Sequence, residues 1–196
     1  MKDIELFDKV YSDGFMLTGL INILSDKSIE RKSFDFTSLA SDVIFGTAKN
    51  KIVFCGGSKD DICYFKKHLG THPEQQWIFL DGYNGKSNLL NSIREFEPKV
   101  VVLSLGSGLQ EEYALKIKKN FGDKKMQVYT SGAFISQTAI RRDYYPALIE
   151  SLNLRWAFRA LNNSHVRERL FKDYPRNFAR IIFDSGFRQK VLGIVT

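Results

Sequence analysis

Between residues 51 and 130 the apolar positions fall into short strand-like runs separated by longer amphipathic segments. Lys51-Ile52-Val53-Phe54-Cys55 is apolar and rich in β-formers, and it breaks at Gly56-Gly57-Ser58. Behind it Ile62, Phe65 and Leu69 recur at helical spacing, and Gly70 closes that segment. Trp77-Ile78-Phe79-Leu80 reads as a second strand, ended by Asp81-Gly82, with a helix through Leu89, Leu90, Ile93 and Phe96 that stops before Pro98. Val100-Val101-Val102-Leu103-Ser104-Leu105 is almost continuously apolar, as a strand covered by helices on both faces should be. It breaks at Gly106-Ser107-Gly108. A helix from Gln110 to Asn120 and a strand over Met126-Gln127-Val128-Tyr129 follow, the latter ending at Ser131-Gly132. Short strands alternating with helices predict βαβ units, and so a Rossmann-like, open and mostly parallel α/β sheet flanked by helices.

The flanking regions carry a different pattern. Residues 1–50 read as mixed helix and loop, with Asp13-Gly14 as a turn and Thr37 or Ser38 capping a helix through Leu39, Val43 and Ile44. Pro146 is expected to open a helix bearing Leu148, Ile149, Leu152, Trp156, Phe158 and Leu161. From His165 onward arginines alternate with Leu170, Phe171, Tyr174, Phe178, Ile181 and Ile182, the pattern of a basic amphipathic helix. The division expected from these patterns is an α/β nucleotide-binding domain over residues 1–150 and a basic helical appendage over 151–196. Neither repeats nor a low-complexity linker interrupt it.

Composition sharpens the picture in two ways. A chain of 196 residues with 43% hydrophobic content can bury one sizeable core. Its two cysteines, Cys55 and Cys63, form neither a disulfide framework nor a metal-ligand spacing, which suits a reducing cytoplasm. No run approaches the roughly 20 apolar residues of a membrane span, and Met1-Lys2-Asp3-Ile4-Glu5 is too polar for a secretory signal. The expectation is therefore a cytoplasmic protein, soluble or peripheral on the inner face of the plasma membrane. The net charge of +7 is concentrated: residues 141–190 hold eleven Lys and Arg against five acids. Such a region either attracts an anionic partner, whether phosphate, anionic lipid or nucleic acid, or forms a solvated helical face.

Gly56, Gly57, Gly106 and Gly132 all stand at the carboxyl ends of expected strands. Open α/β sheets bind ligands there, because the loops converge and helix N-termini offer free N–H groups to anions. The strings match neither Gly-x-Gly-x-x-Gly nor a phosphate loop with Gly-Lys-Ser/Thr, which disfavours a dinucleotide enzyme or an NTPase.

Four strings, in order along most of the chain, give it a family likeness. They are Ser12-Asp13-Gly14, Ile29-Glu30-Arg31, Leu105-Gly106-Ser107-Gly108-Leu109-Gln110-Glu111-Glu112-Tyr113, and Leu152-Asn153-Leu154-Arg155-Trp156-Ala157-Phe158-Arg159-Ala160-Leu161. With Ser131-Gly132-Ala133-Phe134, they resemble the WecG/TagA/CpsF glycosyltransferases. Those enzymes carry Ala-Asp-Gly, Glu-Arg, Gly-x-Pro-Lys-Gln-Glu-x-Trp, Leu-Gly-Leu-Glu-Trp-x-x-Arg-Leu and Gly-Gly/Ala-x-Phe-Asp. The resemblance implies an inverting, metal-independent, cofactor-free hexosyltransferase of cell-surface polysaccharide biosynthesis. Its donor would be a UDP-sugar, an N-acetylaminosugar or its uronic acid, and its acceptor a polyprenyl-diphosphate-linked or glycan molecule.

By position, the resemblance makes Asp13 the general base and Arg31, Arg159, Arg167 and Arg169 the holders of the leaving diphosphate. Gln110 would contact donor or acceptor, and Glu111 would order the loop. The basic arm would also suit an anionic membrane surface, and a homo-oligomer is left open. Several positions depart from the family pattern. Gly108-Leu109 replaces Pro-Lys, Ile135 replaces the Asp after Phe, Arg155 replaces the Glu before Trp, and Tyr144-Tyr145-Pro146 replaces Arg-Ala-Pro, with Arg141 and Arg142 just upstream. The family pattern has a further strand and loop ahead of this position, whereas Asp13 stands almost at the start of the sequence. Two other readings use the same residues: a non-catalytic nucleotide- or polyanion-binding α/β module, and nucleic-acid binding through the tail, for which no motif is present.

Overall fold

A computed structural model describes residues 4–25, 28–46, 51–141, 149, 154–162 and 164–194. The chain forms two compact units, Phe34–Tyr144 and, from its two ends, Met1–Ser33 with Tyr145–Thr196. The first 33 residues thus group with the C-terminal appendage and not with the sheet.

In the central unit a four-stranded sheet of order β2-β1-β3-β4 is built from β1 (Lys51–Gly56), β2 (Gln76–Leu80), β3 (Val100–Ser104) and β4 (Gln127–Thr130). Every pairing is parallel, with Ile52 opposite Trp77 and Val100, Phe54 opposite Phe79 and Val102, and Val102 opposite Tyr129. The expected Rossmann-like α/β fold is what forms. Among the described residues five α-helices and a 3-10 turn (Gly85–Asn88) complete the unit: α2 (Leu39–Phe45), α3 (Lys59–Leu69), α4 (Leu89–Phe96), α5 (Leu109–Phe121) and α6 (Phe134–Ile140). From β1 the chain moves outward to β2 and then crosses back to β3. The loops after β1 and β3 therefore diverge, which makes that edge the topological switch point.

Both faces of the sheet are covered because alternate residues of β1 and β3 are apolar in both directions. One face carries an aromatic layer. Phe54 stacks on Phe79 at 5.2 Å and meets Phe65 edge-on at 5.3 Å, while Phe134 lies edge-on to Phe65 and to Phe34. Ala40 and Ile44 of α2, Ile62 and Leu69 of α3 and Ile135 of α6 close this layer. Edge-to-face and offset pairs add about 0.5–1.5 kcal/mol each to the burial of their area. On the other face Val53, Cys55, Val101 and Leu103 are fully buried, and α4 and α5 pack on β1 and β3 there.

Local chemistry fixes where the helices begin. The Ser58 hydroxyl accepts the Asp61 N–H at 3.0 Å and the Asp61 carboxylate accepts the Ser58 N–H at 2.8 Å, a complete capping box for α3. Gly70 ends α3 with φ of +77°. At α2 Ser38 holds the N-cap position but makes no side-chain cap bond. The turn is made by Asp35 instead, whose carboxylate accepts from the Thr37 N–H and hydroxyl and whose carbonyl accepts from Ser38 and Ala40.

The terminal unit contains a short 3-10 turn (Ile4–Leu6), α1 (Phe15–Leu24), α7 (Arg155–Asn162), α8 (Ser164–Phe183) and α9 (Ser185–Ile194). Ile21 of α1 is buried with Ile181 and Val191, among Leu17, Leu20, Leu24, Ile29, Phe187 and Leu192. The basic helix expected from His165 is α8, which continues through Pro175, a residue with no N–H for the helical ladder. The helix start assigned to Pro146, together with Leu148, Leu152, Asn153, Arg142, Tyr144 and Tyr145, lies outside the described residues.

Both cysteines are free thiols, Cys55 buried and Cys63 exposed. Burial, reinforced by the Asp81 carboxylate and partly offset by Lys86, pushes the Cys55 thiol up to about 12. Iodoacetamide near pH 8 is therefore expected to label Cys63 alone in the native protein and both thiols after denaturation. Mass spectrometry of the adducts checks this, and rapid native labelling of Cys55 would contradict the burial of β1.

Candidate functional site

The carboxyl ends of the four strands gather the loops of the central unit. After β1, Gly56 and Gly57 are glycines for reasons of packing. A Cβ on Gly56 would stand 2.1 Å from the Ser104 carbonyl oxygen, and one on Gly57 would stand 3.0 Å from Ile135. Gly82, in the loop after β2, donates its N–H to the Gly57 carbonyl at 2.8 Å, so these two turns are sewn together. Gly106 and Gly132 differ. Like Gly56 and Gly57 they have positive φ, +80° and +63°, as does the neighbouring Gly108 at +92°, but a Cβ on any of these three would meet nothing within 4 Å. Open space lies in front of the loops after β3 and β4.

A hydrogen-bonded chain joins those two loops. Ser104, buried at the end of β3, donates to the Gly132 carbonyl at 3.0 Å and accepts from the Ile135 N–H at 3.1 Å. The Ser131 hydroxyl and N–H both donate to the Leu103 carbonyl. Gln110, only 7% exposed on the first turn of α5, accepts the Gly132 N–H with Oε1 at 2.8 Å and donates Nε2 to Glu111 at 2.9 Å. Glu111 in turn accepts the Gly108 N–H.

Carboxylates stand at the N-termini of both α3 and α5. Asp61 occupies the first turn of α3 and also accepts from the Ser136 hydroxyl at 2.9 Å. Glu111 occupies the first turn of α5. A carboxylate already answers the positive end of each helix, so a diphosphate would find a charge of its own sign. Asp81 at the end of β2 is likewise engaged. Its carboxylate accepts the N–H groups of Asn84, Tyr83 and Gly85, the Asn84 bond being the strongest cause of its lowered pKa, with Lys59 attracting it further. Ile135, which stands where the family pattern has Asp, is fully buried in the aromatic layer and takes no part in an open site.

In the terminal unit Asp13 and Arg31 come together. Arg31 Nε lies 3.9 Å from Asp13 Oδ1, the arginine side chain 19% exposed and the carboxylate 48%. Buried neighbours set that geometry. Ser12 accepts the Thr18 hydroxyl at 2.8 Å, and its carbonyl accepts the Lys32 N–H at 3.1 Å. Asn22 clasps Ile29 in both directions, donating to its carbonyl at 3.0 Å and accepting its N–H at 2.8 Å, two residues before Arg31. Thr18, Asn22, Ser104 and Ser131 were not singled out from the sequence. Side chains whose partners lie six to 28 residues away leave no local pattern to read.

Arg167 is exposed on α8, with a 3.4 Å contact to the Ala160 carbonyl. Arg159 and Arg169 lie on α7 and α8, and their side chains, like that of Trp156, lie outside the described residues. Arg141 is exposed at the end of α6. Among the described residues no group of three or more His, Cys, Asp or Glu could hold a metal ion.

The two classes of glycine should respond differently to substitution. Gly106→Ala and Gly132→Ala are each expected to cost about 1–2 kcal/mol from the left-handed backbone alone. Gly56→Ala, which drives a methyl into β3, should cost well beyond that. Urea denaturation midpoints check the order.

Comparison with known proteins gives a family match. The family model described as the glycosyl transferase WecG/TagA/CpsF family matches residues 2–191. The chain is 34% identical over 193 residues to a UDP-Gal:alpha-D-GlcNAc-diphosphoundecaprenol beta-1,4-galactosyltransferase of Shigella boydii, covering 93% of this chain and 79% of that enzyme. No solved structure matches. With its parallel sheet, open strand-end loops and Asp13–Arg31 pair lying within that match, the chain belongs to the WecG/TagA/CpsF family and is a glycosyltransferase.

Proposed function

We propose that this glycosyltransferase moves galactose from UDP-galactose onto an N-acetylglucosamine linked through diphosphate to a polyprenyl lipid, inverting the anomeric centre without a metal. The observation that carries the donor and acceptor is the likeness to the galactosyltransferase along 93% of the chain. It favours galactose over the aminosugar that the family resemblance implied. In the proposed step the acceptor hydroxyl attacks the anomeric carbon, its proton passes to the Asp13 carboxylate, and the bond to the diphosphate breaks to release UDP. A positioned carboxylate contributes typically 10²–10⁴-fold to such a proton transfer. Arg31, 3.9 Å from Asp13, fixes the orientation of that carboxylate.

Charge on the leaving diphosphate falls to arginine, whose planar fork of donors matches phosphate oxygens. Arg31, Arg159, Arg167 and Arg169 are the proposed holders. What supports arginine in this role is the state of α3 and α5, whose first turns already carry Asp61 and Glu111. The proposed donor seat is the open face of Gly106 and Gly132, with Gly56 and Gly57 shaping the turn beside it.

Thermal unfolding with UDP or UDP-galactose at roughly 100 times Kd should show stabilisation of about 2.7 kcal/mol by linkage, and other nucleotides less. Asp13→Ala should keep that stabilisation while losing roughly 10²–10⁴-fold in transfer to the lipid-linked acceptor. No stabilisation by any uridine nucleotide at millimolar concentration would favour a non-catalytic polyanion-binding module.

Among the described residues no helix is long and apolar enough to cross a membrane. The proposed route to a lipid-linked acceptor is peripheral. On α8, Phe171 and Phe183 are 75% and 85% exposed, and Arg176 and Arg180 are exposed between them. Apolar groups beside cations suit an anionic bilayer surface. Flotation with vesicles containing phosphatidylglycerol is expected to carry the protein at low salt. Phe171→Ser/Phe183→Ser should abolish that binding, and 0.5 M salt should weaken it.

A further inference from the structure

We propose that Gln110 is a positioning residue for glycosyl transfer, acting through the Gly132 N–H and the Glu111 carboxylate and not by touching the substrates. Gln110 is 7% exposed, and both ends of its amide have partners within the protein. Oε1 accepts the Gly132 N–H at 2.8 Å and Nε2 donates to Glu111 at 2.9 Å. Glu111 passes the constraint to Gly108 by accepting its N–H. Gly132 is held from its other side by the Ser104 hydroxyl at 3.0 Å. One buried amide therefore fixes the separation of the loops after β3 and β4, whose three positive-φ glycines face open space.

The physical case rests on those glycines. Gly106, Gly108 and Gly132 have no side chain to pack, and a glycine backbone is the least restrained in the chain. Their conformation must be imposed through hydrogen bonds. A loop displaced by about 1 Å can cost on the order of 10²-fold in rate through misalignment of reacting groups. The polarity of the chain is also specific. Gly132 and Gly108 both offer N–H donors, so the two side chains between them must present two acceptors outward and one donor–acceptor pair inward. An amide beside a carboxylate meets that need, whereas two carboxylates repel and two amides lose charge at the α5 N-terminus.

That logic gives an exchange test, resting on the donor reading above only for its activity arm. Gln110→Ala and Gln110→Glu should each lower kcat roughly 10- to 100-fold, with a smaller change in KM. Amide hydrogen exchange should rise at residues 108 and 131–133. The Gln110→Glu/Glu111→Gln double variant keeps both outward acceptors and restores the inward donor from position 111. It is expected to recover kcat to within about threefold and to restore amide protection. A direct contact by the Gln110 amide would not survive the swap, so a double variant that regains protection but not turnover overturns the proposal. Unchanged exchange in Gln110→Ala overturns it as well. Absence of transfer from every UDP-hexose by the unaltered protein would overturn the donor reading, leaving the exchange arm to decide the role of Gln110 by itself.

Discussion

The end of β3 is the point on which the ligand-facing edge of the sheet depends. Strand β3 has β1 on one side and β4 on the other, and its last residues bind the turns that follow β1 and β4. Its Leu103 carbonyl takes both donors of Ser131, and its Ser104 hydroxyl spans Gly132 and Ile135. Gly56 lies so close to the Ser104 carbonyl that no side chain fits between them. These contacts are buried or partly buried, where a lost partner that leaves a buried polar group unsatisfied costs about 1–3 kcal/mol. The loops inherit that rigidity while their glycines stay open.

Electrostatics then divides the work of the molecule. A Rossmann-like sheet usually offers its helix N-termini to phosphate, and here Asp61 and Glu111 place a carboxylate in the first turns of α3 and α5. The positive charge lies elsewhere in the sequence, with eleven Lys and Arg between residues 141 and 190. The Asp13–Arg31 pair is likewise placed by its neighbours, since the Asn22 clasp on Ile29 and the Ser12–Lys32 bond hold the two segments that carry it.

Much of the fold was legible because its signals are local. Periods of two and of 3.6 residues, strand-ending glycines and the continuous apolar run of β3 depend only on neighbours along the chain, and they yielded all four strands and the helices between them. The capping box of α3 is also local, but Ser38 shows the limit of such reading: it fits an N-cap by type, while Asp35 makes the turn. The site was legible in part. Gln110, Gly106 and Gly132 could be named from motif order, but the bonds that hold Gly132 come from Gln110, 22 residues away, and Ser104, 28 residues away.

The sequence by itself determined the parallel α/β architecture, the basic arm and the family strings, because periodicity, charge and motif order are properties of a linear chain. Only the tertiary structure decided which glycines pack and which face open space, since a missing side chain looks the same in either case until its neighbours are known. It also decided that residues 1–33 group with 145–196 and that Asp61 and Glu111 hold the helix N-termini. Such contacts are settled by burial and hydrogen-bond satisfaction across the fold, where competing partners are compared in space and not along the sequence.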